Sequence, residues 1–154
     1  SFLIVPDQMT YAAERNICSR LDIEGFSLCC VISFNRFCTR VAESSGEKCP
    51  TRLSDSGRLM MLDNAIDNCR GELGIYRTSC KRSGFAQRME RMLALLKSCR
   101  VTPEGLESMM DSMPDGLLRL KLSDTARIYR AYQNMLNKDY CDNNDLFALA
   151  AEIR

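Results

Sequence analysis

Six residues in two short segments carry side chains suited to a common task. Gln8 and Thr10 lie in IVPDQMTYAAER, and Ser33, Phe34, Asn35 and Arg36 lie in ISFNRF. Together they supply two amides, two hydroxyls, an aromatic face and a guanidinium, and Asp7 adds a carboxylate beside the first pair. An amide pairs with base edges, a hydroxyl or guanidinium holds phosphate, and an aromatic ring stacks on a base for roughly 1 to 3 kcal/mol. That is the chemistry of holding a single nucleic-acid strand, provided the fold brings the two segments to one place. The residue types alone leave a second reading open, in which Phe34 is core and Arg36 a solvated surface charge.

The elements that would position these residues are legible in the flanks. The run SFLIV has the aromatic and β-branched content of a buried parallel strand, and Pro6, which cannot donate a ladder hydrogen bond, predicts its end at Val5. From Thr10 the residues favour helix, with Tyr11, Ile17, Cys18 and Leu21 available for an inner face. After the Glu24-Gly25 turn signal a second apolar run, LCCVISF, ends in its own polar corner before a short helix. Two strands joined by a helix should lie parallel, which places both corners on one sheet edge, where ligands of open α/β sheets sit.

Residues 44 to 50, SSGEKCP, read as a loop between two lobes, giving an α/β segment over 1–43 and an all-helical lobe over 51–154. The fold expected is mainly α with a small α/β part. Apolar residues recur at helical spacing in Leu59, Leu62, Ile66, Cys69 and Leu73, in Phe85, Met89, Met92, Leu96 and Cys99, and in Leu122, Thr125, Tyr129, Tyr132 and Leu136. Thr102-Pro103 marks a helix start, Met113-Pro114-Asp115-Gly116 a break, and a last helix should run from about Asn144 to Ile153. The methionines read as core filler.

Several functions lack their chemistry. There is no histidine, so the commonest general base and metal ligand is missing, and none of the nine cysteines forms a C-x-x-C pair. The cysteines read as reduced structural thiols, with no metal site. Asp63, Asp67, Asp111 and Asp145 fall on polar helix faces or caps, where solvation is their ordinary state. The phosphate-cradling motif G-x-x-x-x-G-K-[ST] does not occur, and no constellation has the geometry of a self-sufficient enzyme. A net charge of +1 gives no general electrostatic attraction for a polyanion, so any such partner must be met by a local patch. No apolar run reaches membrane-spanning length and no signal-peptide pattern opens the chain, so a cytoplasmic protein without a membrane partner is expected.

At the same corner residues the sequence resembles the B subunit of the AddAB-type helicase-nucleases, bacterial machines that process double-stranded DNA ends for recombinational repair. IVPDQMTYAAER is similar to the first strand-to-helix DNA-contact segment of that family, corresponding to motif Ia of superfamily 1 helicases. ISFNRFCTRV is similar to the next, where the family carries S-F-x-R-L and this chain has Phe37 for the leucine. The similarity continues through LSDSGRLMMLDNAI, SGFAQRMERMLALLKSCRVTPEGL, LKLSDTARIYRAYQNML and DYCDNNDLFALAAEI.

The resemblance implies that residues 1–43 are two strands of a partial RecA-like domain (1A) and that 51–154 form a 1B-like helical lobe inserted in it. It implies an excised piece of a larger subunit, with the phosphate loop, the Walker B strand and the nuclease domain with its cluster-binding cysteines outside these residues. ATP, Mg2+ and an iron-sulfur cluster are implied for the full complex and none for this piece. The partners implied are DNA ends, single- and double-stranded, and an AddA-type motor subunit in a heterodimer. Gln8, Thr10, Ser33, Phe34, Asn35 and Arg36 are then the expected strand contacts, with Ser33 and Asn35 second to the others. The alternative, from another class, is a helical protein-interaction module docking a partner subunit.

Overall fold

The computed structural model describes residues 1–25, 28–44, 50–136 and 139–152. The chain is mainly helical, with two small parallel sheets, and divides into one unit of Ser1–Cys49 with Leu146–Arg154 and a second of Pro50–Asp145. Most of the loop expected between two lobes, residues 45–49, lies outside the described residues.

In the first unit, β1 (Phe2–Val5) pairs in parallel with β2 (Cys30–Ser33), in register from Phe2 against Cys30 to Val5 against Ser33. The strand stops at Val5, as Pro6 requires, and the chain takes one 3-10 turn over Asp7–Met9 into α1 (Thr10–Leu21). β2 runs directly into α2 (Phe34–Ser44). Val31, Ile32, Cys38 and Ala42 are buried, so the sheet is covered chiefly by its contact with α2.

Two expectations fail here. β1 is not a buried strand: Phe2, Leu3 and Ile4 are all exposed, because a sheet of two strands leaves both of them at an edge. The inner face of α1 is also thinner than its sequence suggests. Ile17 and Cys18 are half-buried, but Tyr11 and Leu21 lie in solvent, since β2 alone gives the helix little to pack on.

The second unit is a helical bundle with one core. It contains α3 (Asp55–Cys69), the single turn α4 (Tyr76–Ser79), α5 (Phe85–Ser98), α6 (Pro103–Asp111) and α7 (Leu117–Leu136). α7 packs against α3 and α6, and α3 against α5. Ser54 caps α3 by accepting from the Gly57 N–H at 3.1 Å, and Thr102 caps α6 by accepting from the Gly105 N–H at 3.1 Å, with Pro103 in the first turn. Leu62, Ile66, Cys69, Leu73, Thr125, Tyr129, Tyr132 and Leu136 are buried as their periodicity predicts.

On α5 the inner stripe runs Phe85, Met89, Leu93, while Met92 and Cys99 are exposed; the sequence places them on the wrong side because Met-Leu offers two apolar neighbours for one inward position. The methionines divide likewise, with Met89 and Met110 buried and Met9, Met60, Met92 and Met109 exposed.

Nor is the second unit all helical. A two-residue parallel pair joins β3 (Thr51–Arg52) to β4 (Tyr140–Cys141), extended by backbone bonds from Thr51 N–H to Asp139 O at 2.8 Å and from Leu53 N–H to Cys141 O at 3.0 Å. From there α8 (Asn143–Glu152) begins, close to the expected span of the last helix.

Candidate nucleic-acid interface

The parallel register puts Val5 opposite Ser33, so the two corners leave the sheet at the same level. The Asn35 side-chain amide donates to an Asp7 carboxylate oxygen at 3.3 Å, tying one corner to the other. The six residues singled out in the sequence therefore occupy one edge of the first unit, in different roles. Gln8 is exposed on the 3-10 turn and has its amide available to a ligand. Thr10 donates its hydroxyl to Asp7 O at 3.3 Å, closing the turn at the start of α1.

Ser33 does not belong on a contact surface. It is 1% exposed, and its hydroxyl accepts from the Arg36 N–H at 3.4 Å, so it positions the first turn of α2. Asn35 is half-buried and committed to Asp7.

Phe34 and Arg36 meet the requirement for display. Phe34 is 50% exposed, with one side held by Phe147 at a centroid distance of 5.1 Å and an interplanar angle of 55°. A ring supported on one side and open on the other leaves a face on which a planar group could stack. Arg36 is exposed. Phe37, which replaces the expected leucine, is half-buried and meets the Phe2 ring edge-on at 5.5 Å, so the departure repacks the sheet behind the corner.

Two residues beside the corner, Thr39 and Arg40, escaped the sequence reading. With Arg36 they line a groove of about 550 Å³ along β2 and α2. The signal was present as an i, i+4 arginine pair on an amphipathic helix, a pattern usually assigned to solvated surface.

The cysteines spread out. Cys38, Cys69 and Cys141 are buried and Cys99 is exposed, and among the described residues no group of three or more Cys, Asp or Glu side chains could hold a metal ion. Burial pushes the Cys69 thiol up to about 11.

Asp145 lies at a cap, as expected, in the first turn of α8, where it accepts from the Asp142 N–H at 3.1 Å. It also joins a cluster that the sequence did not show, in which Lys97 Nζ donates to Asp142 at 2.5 Å and to Asp145 at 2.8 Å. Burial pushes the Asp145 carboxyl up, and the Lys97 charge pulls it back. Asp124, also buried, accepts from the Gly74 and Tyr76 N–H groups at 2.9 and 2.8 Å. These carboxylates are structural ties. No described helix is long and apolar enough to cross a membrane.

A small parallel sheet with polar and aromatic residues at its strand ends is followed in sequence by a helical bundle. The chain belongs to the family described as "ADDB, N-terminal", whose model matches residues 1–153. It is similar to the B subunit of the ATP-dependent helicase/deoxyribonuclease of Clostridium kluyveri, 29% identical over 150 residues, which cover 97% of this chain and 13% of that protein. The same subunit of Alkaliphilus metalliredigens is 30% identical over 152 residues, covering 98% of this chain and 13% of the relative. The chain therefore spans about 13% of the length of the curated relatives it matches. The family expected from the sequence is the one these comparisons give.

Proposed function

We propose that this chain acts as the N-terminal part of the B subunit of an ATP-dependent helicase-nuclease that processes DNA ends for recombinational repair in the cytoplasm. In this reading the first unit is part of a RecA-like core and the second a 1B-like lobe inserted in it. The piece contacts the unwound single strand and scaffolds the subunit, without catalysis of its own. ATP, Mg2+ and an iron-sulfur cluster belong to other parts of the complex, and an AddA-type motor subunit is the heterodimer partner.

The observation that carries the strand contact is the joining of the two corners, by the Val5–Ser33 register and the Asn35–Asp7 bond, beneath the exposed Gln8, Phe34 and Arg36. Base edges suit the Gln8 amide, a base face suits Phe34, and phosphate suits Arg36.

The test is titration of labelled single-stranded DNA at low and moderate salt, with Gln8→Ala/Arg36→Ala of verified fold alongside. Affinity that falls with salt in the wild type and drops at least about tenfold in the variant supports the site. Equal binding by both proteins removes the residue assignment.

The docking-module reading draws on one observation of its own, the exposed Leu117, Leu118 and Leu120 in the first turns of α7. Absence of strand binding, together with loss of subunit association on Leu117→Ser/Leu118→Ser, would favour it.

A further inference from the structure

We propose that the groove between β2 and α2 is a phosphodiester track, in which Arg36 and Arg40 hold two phosphates of the strand whose bases meet the corner. The proposal rests on the strand-contact reading and extends it to a path for the backbone. Arg36 and Arg40 stand four residues apart on α2 and line one groove of about 550 Å³. That spacing puts them on the same helix face with a rise of about 6 Å between them.

Neither guanidinium has a carboxylate partner among the described residues, whereas Arg58, Arg119, Arg127 and Arg130 each have one. Arg40 is nonetheless held in place. Its guanidinium lies 5.6 Å from the centre of the Phe2 ring, and one nitrogen donates to the Cys30 thiol sulfur at 3.7 Å. A thiol is a weak acceptor, so most of the donors of the fork remain for a ligand, on a side chain whose position is already fixed.

Arg36, which lines the groove, also follows Asn35 of the corner in sequence, so the groove and the corner share one helix start. A strand whose bases meet the corner would pass its phosphates along the Arg36 and Arg40 face of α2, at one arginine and then the other. Glu43, which lines the same groove a turn further on, repels a third phosphate and ends the track. Contacts of this kind hold backbone without reading sequence.

The test measures binding of the full chain to labelled oligothymidylate, and to an abasic oligodeoxyribose phosphate of equal length, across a salt series. Loss of one single-strand phosphate contact lowers the slope of log affinity against log salt by about 0.7. Arg40→Gln should show that drop with both ligands and bind roughly tenfold more weakly at low salt. Arg40→Lys should restore the slope, since it restores the charge. Phe34→Ala should weaken oligothymidylate alone.

Glu43→Gln, at an exposed position, provides a second measurement should Arg40→Gln melt early, and should tighten binding about twofold to threefold at low salt. Arg40→Gln with wild-type affinity and slope, beside a weakened Gln8→Ala/Arg36→Ala, overturns the track and leaves the corner contact standing. No binding of either ligand by the wild type overturns both. Inorganic phosphate that displaces the oligothymidylate at millimolar concentration, with no Arg40 dependence of the abasic polymer, would make the groove a site for free phosphate and also overturn the track.

Discussion

The two units spend their apolar residues differently. The second buries Leu62, Ala65, Ile66, Phe85, Met89, Leu93, Leu106 and Ile128 in one cluster, and it satisfies its internal charges with Lys97 and with the backbone donors around Asp124. The first buries few side chains and leaves Phe2, Leu3, Ile4, Met9, Tyr11 and Leu21 in solvent. Parallel strands are ordinarily covered on both faces, and among the described residues the sheet of this unit has two strands. Stability is therefore concentrated in the bundle, while the candidate contact groups sit on the sparser unit.

That contrast can be broken most forcefully at Lys97. Lys97→Met leaves the buried Asp142 and the half-buried Asp145 without their cation and should cost about 3 to 5 kcal/mol in chemical denaturation. Leu62→Ala, at a fully buried position, should cost about 2 to 5 kcal/mol in the same measurement. If either change cost less than about 0.5 kcal/mol, the ordinary range of a surface substitution, the bundle would not be the stable half. Thr102→Ala removes the cap of α6 and should cost about 1 kcal/mol. Tyr11→Ala and Leu21→Ala, on the exposed side of α1, should fall within about 0.5 kcal/mol.

Cysteine chemistry sharpens the comparison further. The Cys69 thiol sits at about 11 in the folded chain against 9.0 for an unperturbed thiol, because burial disfavours the thiolate. The folded state therefore holds its proton longer, so this contribution to stability is complete below pH 9 and is lost as pH rises toward 11. Cys69→Ala should flatten the fall in unfolding free energy over that range. At neutral pH a maleimide should modify Cys99 first and reach Cys38, Cys69 and Cys141 only on unfolding, which mass spectrometry of the labelled peptides resolves.

Much of this architecture was legible because local chemistry dictates it. Pro6 ends β1, Thr102-Pro103 starts α6, and the 3.6-residue spacing finds the buried faces of α3 and α7. What escaped depends on partners distant in sequence. A two-residue strand such as β3 has no periodicity to detect, and only its pairing with Tyr140–Cys141 makes it a strand. Asp145 looks like any helix-start acid until Lys97, far away in the chain, closes on it. Exposure of β1 is likewise invisible to composition, since FLIV reads as buried in any context.

At the candidate site, the residue types were legible and the division of labour was not. Ser33 and Asn35 look as available as Phe34 and Arg36, and only geometry assigns the first pair to holding the corner.

The pairing of β3 with β4 has a consequence for how this chain can be cut. It brings Thr51 and Arg52 beside Tyr140 and Cys141, so the whole bundle leaves and returns through two points about 4.8 Å apart. A module entered and left through one doorway can be lifted out and replaced by a short tether, or recloned with new termini at an exposed bend such as Asp115-Gly116. The bundle is a cassette framed where its chain enters and leaves by the pairing of those two short strands.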